Sequence, residues 1–255
     1  MSSDNDPIFY AFMGFGTGIY FFFHGFKVLK RKRLMENTPT SKVRSLAMGP
    51  CEVYGEAKPG TAGFLKSPFS SQDCLYYNFE IEEYRDRGKN SCWVTVRKGS
   101  EGVPFLLKDH TGEVLVNPAE AEVDIPADNI FHSGTGQDVH EGIATFLEKN
   151  NLSSTGFFGW NKRMRYTESF VSIGDNLYIL GTAMDNPYVD EASAEQGYVD
   201  VMIAHANGNL FYISDKSEKD CLGDQASSVF LQIWGGAALT LVCLAYSLYR
   251  FGLFG

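Results

Sequence analysis

Ser67 to Arg85 reads SPFSSQDCLYYNFEIEEYR, a polar turn followed by a run that mixes five aromatics with four acids in nineteen residues. From Leu75 onward the two kinds of side chain separate by parity. Leu75, Tyr77, Phe79 and Ile81 fall on one side of an extended chain, and Tyr76, Asn78, Glu80 and Glu82 on the other. A period of two is that of a half-buried β-strand, with one face in a core and the other in water.

The pattern repeats outward from this strand. CWVTVRK from Cys92, PFLLKD from Pro104, EVLVNP from Glu113, YTESFVSI from Tyr166, LYILGTA from Leu177, YVDVMIA from Tyr198 and NLFYISD from Asn209 all read as short strands. Branched and aromatic side chains favour the pleated, half-buried surface. HTG at His110, GDN at Gly174 and NGN at Asn207 supply turn residues that tolerate positive φ, and the Asn-Gly pair predicts a hairpin there. One helix interrupts the strands: DVHEGIATFLEKN, with Asp138 as cap, Glu141 three residues on, and Ile143, Phe146 and Leu147 on one face. The predicted fold is mainly β, a small barrel or sandwich with one short helix.

This domain, expected over residues 34–225, lies between two uncharged stretches. PIFYAFMGFGTGIYFFFHGF, Pro7 to Phe26, and SVFLQIWGGAALTLVCLAYSLY, Ser228 to Tyr249, are each long enough to cross a hydrocarbon core of about 30 Å. The predicted transmembrane helices are 7–26 and 228–250. Asp4 and Asp6 precede the first run and Lys27, Lys30, Arg31, Lys32 and Arg33 follow it, the reverse of a cleaved leader. The reading is therefore an uncleaved two-span integral membrane protein. Basic residues beside a span stay cytoplasmic, so the domain between the spans is expected in the cytoplasm. Gly14 with Gly18, and Gly236 with Thr240, have the small-x-x-x-small spacing that allows close helix approach, either between the two spans or in a homo-oligomer.

The soluble portion is acidic. With the flanking charges set aside, 16 basic side chains face 29 acidic ones, a net charge near −13. Such a surface repels nucleic acid, and no nucleic-acid partner is expected. An exception is local: TGFFGWNKRMR sets Phe157, Phe158 and Trp160 just before Lys162, Arg163 and Arg165, the composition of a loop that meets membrane lipid.

The search for chemistry returns little. Cys51, Cys74, Cys92, Cys221 and Cys243 form no C-x-x-C, and no H-E-x-x-H, G-x-S-x-G or phosphate-binding loop is present. No metal site, cofactor or catalytic residue is expected. A Cys74 nucleophile with His132 or His140 as base stands as an alternative, because partners need only meet in the fold.

Four ordered blocks, TPTSKVRSLAMGPCEVYGEA, LKSPFSSQDCLYYNFEIEEY, PFLLKDHTGEVLVNPAEAEVDIP and RYTESFVSIGDNLYILGTA, resemble the GIDE domain, also called the beside-a-membrane domain, of membrane-anchored E3 ubiquitin ligases. The resemblance runs over about residues 38 to 183 and includes Gly55, Cys74, Asp109, Gly112, Glu168, Gly174, Asp175 and Gly181, which mark fold positions. It implies a β domain between two transmembrane helices, and a RING that recruits a charged conjugating enzyme. No position of the sequence matches the zinc-binding motif of a RING, so the expectation is a RING-less, prokaryotic-type relative. Its domain would serve as scaffold or sensor for a protein partner or ligand, or as part of a ligase system whose RING is on another chain.

Overall fold

The structure, a computed structural model, describes residues 7–86, 91–134, 140–150, 163–187, 200–216 and 218–250. The chain divides into two units. One joins Met1–Pro39 to Ser217–Gly255, and the other is Thr40–Lys216.

The first unit is a pair of long helices, α1 (Pro7–Asn37) and α3 (Glu218–Arg250). Both run past the uncharged stretches; in α1 the Lys, Arg, Glu and Leu residues of KVLKRKRLMEN are strong helix formers and give the backbone no reason to stop. Among the described residues one helix is long and apolar enough to cross a membrane, α3, over Val229–Tyr249. The Tyr, Gly and His residues of α1 lower its mean hydropathy, so a second span does not follow from composition alone.

The second unit is mainly β. Its strands are β1 (Gly49–Pro59), β2 (Leu65–Lys66), β3 (Asp73–Arg85), β4 (Cys92–Gly102), β5 (Phe105–Lys108), β6 (Glu113–Val116), β7 (Glu122–Asp124), β8 (Asn129–Ser133), β9 (Met164–Ser172), β10 (Asn176–Asp185), β11 (Val201–Ala204) and β12 (Tyr212–Ser214), with helix α2 (Glu141–Lys149) before β9. Strands β1, β5, β6, β11 and β10 close on themselves into a five-stranded barrel, since β10 pairs back to β1 along Asn176 to Ala183. The closing seam between β6 and β11 is parallel and short. A barrel of so few strands leaves an interior that side chains fill. Val53, Ala57, Leu107, Val116, Ile179 and Ile203 fill it here.

The remaining strands form an open half-barrel, with β3 at its centre, β9 and then β8 on one side, and β4 and β2 on the other. Helix α2 covers its inner face: Ile143 and Leu147 pack on Phe69, Ile81, Met164 and Tyr166. The rings of Phe69, Phe79 and Phe146 meet edge to face at centroid separations of 5.0 to 5.8 Å, the geometry the aromatic quadrupole prefers.

The opening strand serves both cores, which its parity does not announce. An irregularity in its pairing with β9 between Cys74 and Tyr76 lets Leu75 and Tyr76 both enter the barrel core. Tyr76, expected on the outward face, is buried. Beyond it Phe79 and Ile81 turn to the half-barrel core and Glu80 and Glu82, half-buried, to the opposite face, as the alternation requires.

Two further expectations need correction. The Asn207-Gly208 turn exists, with Gly208 at φ +85°, but it makes no hairpin. β11 and β12 are not paired with each other; both pair with β10, Ala204 against Thr182 and Tyr212 against Leu180. The chain keeps its direction along one edge and bulges outward between them, held by the Asn209 amide donating to Thr182 Oγ1 at 3.1 Å. The α2 cap also differs. The helix opens at Glu141 with His140 at the N-cap and no side-chain capping bond, so Glu141 lies in the first turn and not three residues past the cap. Asp138 lies outside the described residues.

Candidate functional site

The recess that could take a ligand opens within the β unit, where the end of β9 and the start of β10 meet the β7–β8 connection. It measures about 310 Å³. Ile125, Phe170 and Leu177 supply apolar walls, and Asp128, Asp175 and Asp215 bring carboxylates to it. The local sequence explains how three acids gather. The β9–β10 turn needs Gly174 at φ +96°, and Asp175 closes that turn by accepting the Ser172 N–H at 2.7 Å. Asp128 accepts the Phe170 N–H at 2.8 Å, tying the β7–β8 connection to β9.

These carboxylates are not at ease. Both Asp128 and Asp215 reach solvent at the rim, yet the apolar walls remove enough water to raise their carboxyls above the ordinary value. The Phe170 N–H opposes the shift at Asp128, and the charges of Asp175 and Glu168 add to it. At Asp215 the neighbouring Lys216 opposes the shift, while Asp124 and Asp175 reinforce it. A cation placed among them would relieve this repulsion. The cleft has no histidine or thiol among its lining residues. Among the described residues no group of three His, Cys, Asp or Glu is arranged to hold a metal ion.

Three acids outside the cleft are structural. Glu168 is fully buried and accepts from the N–H groups of Phe69 and Ser70 at 2.9 and 3.1 Å and from the Asn129 amide at 3.0 Å. The turn SPFSS thus exists in its form because its backbone donors converge on a buried carboxylate. Glu52, also fully buried, accepts from the Thr40 hydroxyl at 2.7 Å and the Tyr178 hydroxyl at 2.8 Å. Tyr212 donates to Asp124 at 2.7 Å.

The geometry gives the Cys74 alternative no support. Cys74 is fully buried. Burial, with the Glu168 charge adding to it, pushes its thiol up to about 12, so the thiolate is scarce at neutral pH. His132 lies across the sheet from Glu82 by way of Arg165. Glu82 is eight residues along β3 from Cys74, a separation of ~26 Å at ~3.3 Å per residue. His140 stands at the N-cap of α2, its ring 5.2 Å from that of Phe131.

Of the basic loop, Phe157, Phe158, Trp160 and Lys162 lie outside the described residues. Arg165 is part of β9, ion-paired to Glu82 at 2.6 Å, with its guanidinium 4.8 Å from the Trp93 ring centroid. Arg163 lies 4.5 Å over the Tyr84 ring. Both arginines are thus stacked on aromatics of β3 and β4.

The marker residues fall where backbone geometry is tight. A Cβ at Gly55 would sit 2.4 Å from the Lys108 carbonyl oxygen, and one at Gly181 would sit 2.7 Å from Ile203. Asp109 and Gly112 form the β5–β6 turn, and Cys74 Sγ lies 3.7 Å from the Leu65 carbonyl oxygen. In the helical unit, Gly14 faces Cys243, and Gly18 faces both Gly236 and Thr240.

With this arrangement in view, comparison with known families is specific. The chain matches the GIDE family model, described as E3 ubiquitin ligase, over residues 76–247. That is more than half of its length, and the chain belongs to this family. The matched region begins in β3 and continues into α3, so the family pattern takes in the apolar helix as well as the β unit. No curated protein and no solved structure matches the chain significantly.

Proposed function

We propose that the chain is a two-span membrane anchor for an acidic GIDE domain that binds a protein partner beside the membrane and performs no chemistry of its own. The observation that carries this reading is the division of the chain. A unit of two long helices, one of membrane-spanning length and hydropathy, is joined to a β unit that offers a ligand-sized cleft whose lining holds carboxylates and neither a histidine nor a thiol. The basic run KVLKRKR supports a cytoplasmic location for the domain. The three cleft carboxylates favour a partner that presents lysine or arginine, and the apolar walls suit the methylene stem of either side chain.

The test uses the full chain in detergent, titrated with short lysine- and arginine-containing peptides. Micromolar binding that weakens with salt and falls at least about tenfold in the Asp128→Asn/Asp215→Asn double variant supports the reading. Equal binding by the variant, or none by either protein, removes the cleft as the partner site.

The family match favours a second reading, in which the chain is one component of a ubiquitin-like transfer system and another chain supplies the RING. Membranes holding the full chain would then support ubiquitin transfer when a RING protein and a conjugating enzyme are added together. Transfer that is unchanged without the chain rejects it.

A further inference from the structure

The helical unit is asymmetric in composition and symmetric in contact. α3 carries a segment long and apolar enough to cross a membrane, Val229–Tyr249, in which Gln232 is the one amide. The apolar run of α1 instead contains Tyr10, Tyr20, His24 and five glycines and threonines between Gly14 and Gly25. Yet α1 lies antiparallel to α3 along the whole of that run, and at successive turns the approach is backbone to backbone. A Cβ at Gly18 would sit 2.9 Å from both the Gly236 carbonyl oxygen and the Thr240 nitrogen, and a Cβ at Gly236 would sit 2.7 Å from the Phe22 nitrogen. Towards the far end Gly25 packs against Ile233, and His24 Nδ1 is 2.9 Å from Gln232 Oε1, a hydrogen bond across the pair.

Three hydroxyls of the pair bond within their own helices. Thr17 donates to the Met13 carbonyl, Thr240 to that of Gly236 and Ser247 to that of Cys243, each within its own helix. The contacts between the helices include close packing at the glycines and the His24–Gln232 hydrogen bond. In lipid there is no hydrophobic drive to bring helices together, so such packing and hydrogen bonding decide whether they pair. Gly16, by contrast, has nothing within 4 Å of its Cβ position.

We infer that α3 is the autonomous span and that α1 enters the membrane only as its partner, held by the Gly18–Gly236 crossing and the His24–Gln232 bond. This rests on the two-span reading above. It adds an order of events: the N-terminal helix is committed only after α3, the last helix described, has been made. The Gln232 amide and the His24 ring, each costly alone in hydrocarbon, satisfy one another in the assembled pair.

Protease protection of the full chain in sealed vesicles tests this, with one epitope at each terminus and the protease on the side of the β unit. In the unaltered protein both epitopes are protected. Gly18→Leu and Gly236→Leu each expose the N-terminal epitope and leave the C-terminal one protected, with the ratio of protected to exposed N-termini falling about tenfold, a 1.4 kcal/mol change. Gly16→Leu changes nothing. Continued protection of the N-terminus in both interface variants overturns the inference, and so does loss of C-terminal protection in Gly236→Leu. An exposed N-terminus in the unaltered protein, with the C-terminus protected, defeats the two-span reading itself.

Discussion

The Asp109 carboxylate receives the N–H groups of Val43, Thr111 and Gly112 and the Thr111 hydroxyl, at 2.6 to 3.0 Å. Burial raises its carboxyl, but the Thr111 hydroxyl and the three backbone donors outweigh it and hold the value at about 2. A carboxyl lowered on folding stabilises the protein above its unfolded value of roughly 3.9, and the contribution disappears as pH falls towards 2. Asp109→Asn is therefore expected to lose stability at pH 7 and to flatten the decline between about pH 4 and pH 2, measured by denaturant midpoints. Asp215 has the opposite sign. Its carboxyl is raised, so ionisation opposes folding, and Asp215→Asn raises the thermal midpoint at pH 7 with the gain vanishing below about pH 4. Thiol labelling checks burial directly. Cys92, which is exposed, reacts in the native chain, while Cys51 and Cys74, pushed up by burial to about 11 and about 12, react only on unfolding.

At the scale of elements, α2 contributes through Ile143, Phe146 and Leu147. Leu147→Ala removes one of the buried contacts that hold it to the half-barrel, and a cost of about 2–5 kcal/mol is expected for such a truncation. Hydrogen exchange should show loss of protection in α2 and little change in β1 and β10, because the barrel core is a separate cluster. Much of this scale is legible in the sequence. The alternation in β5 and β6 reads out directly, since each has one face in a core, whereas β3 and β9 each bury neighbours in succession, Leu75 with Tyr76 and Glu168 with Ser169. The 11-residue β1 escapes periodicity because Cys51, Glu52 and Val53 are buried in succession. The Asn-Gly turn misleads for a related reason. Turn chemistry fixes local φ, but whether two flanking strands pair with each other or with a third is decided by what lies beside them, and here β10 does.

For the whole molecule, the division at Thr40 and Lys216 predicts that residues 40–216 alone are soluble and melt cooperatively, because both hydrophobic clusters lie within that segment. Aggregation of the excised unit, seen by scattering, would show that it needs the helices. By itself the sequence determined what depends on neighbours along the chain: the apolar length of α3, the strand periods, the turns at Gly112, Gly174 and Gly208, and the motif blocks that mark the GIDE family. The tertiary structure decided what depends on distant residues meeting. Barrel closure needs β10 to reach β1 across more than a hundred residues. The cleft needs Asp128, Asp175 and Asp215 from three separate connections. Burial of Glu52 and Glu168 needs donors from Thr40 and the SPFSS turn, which no local period encodes, because a charge enters a core only where the rest of the fold has already placed its partners.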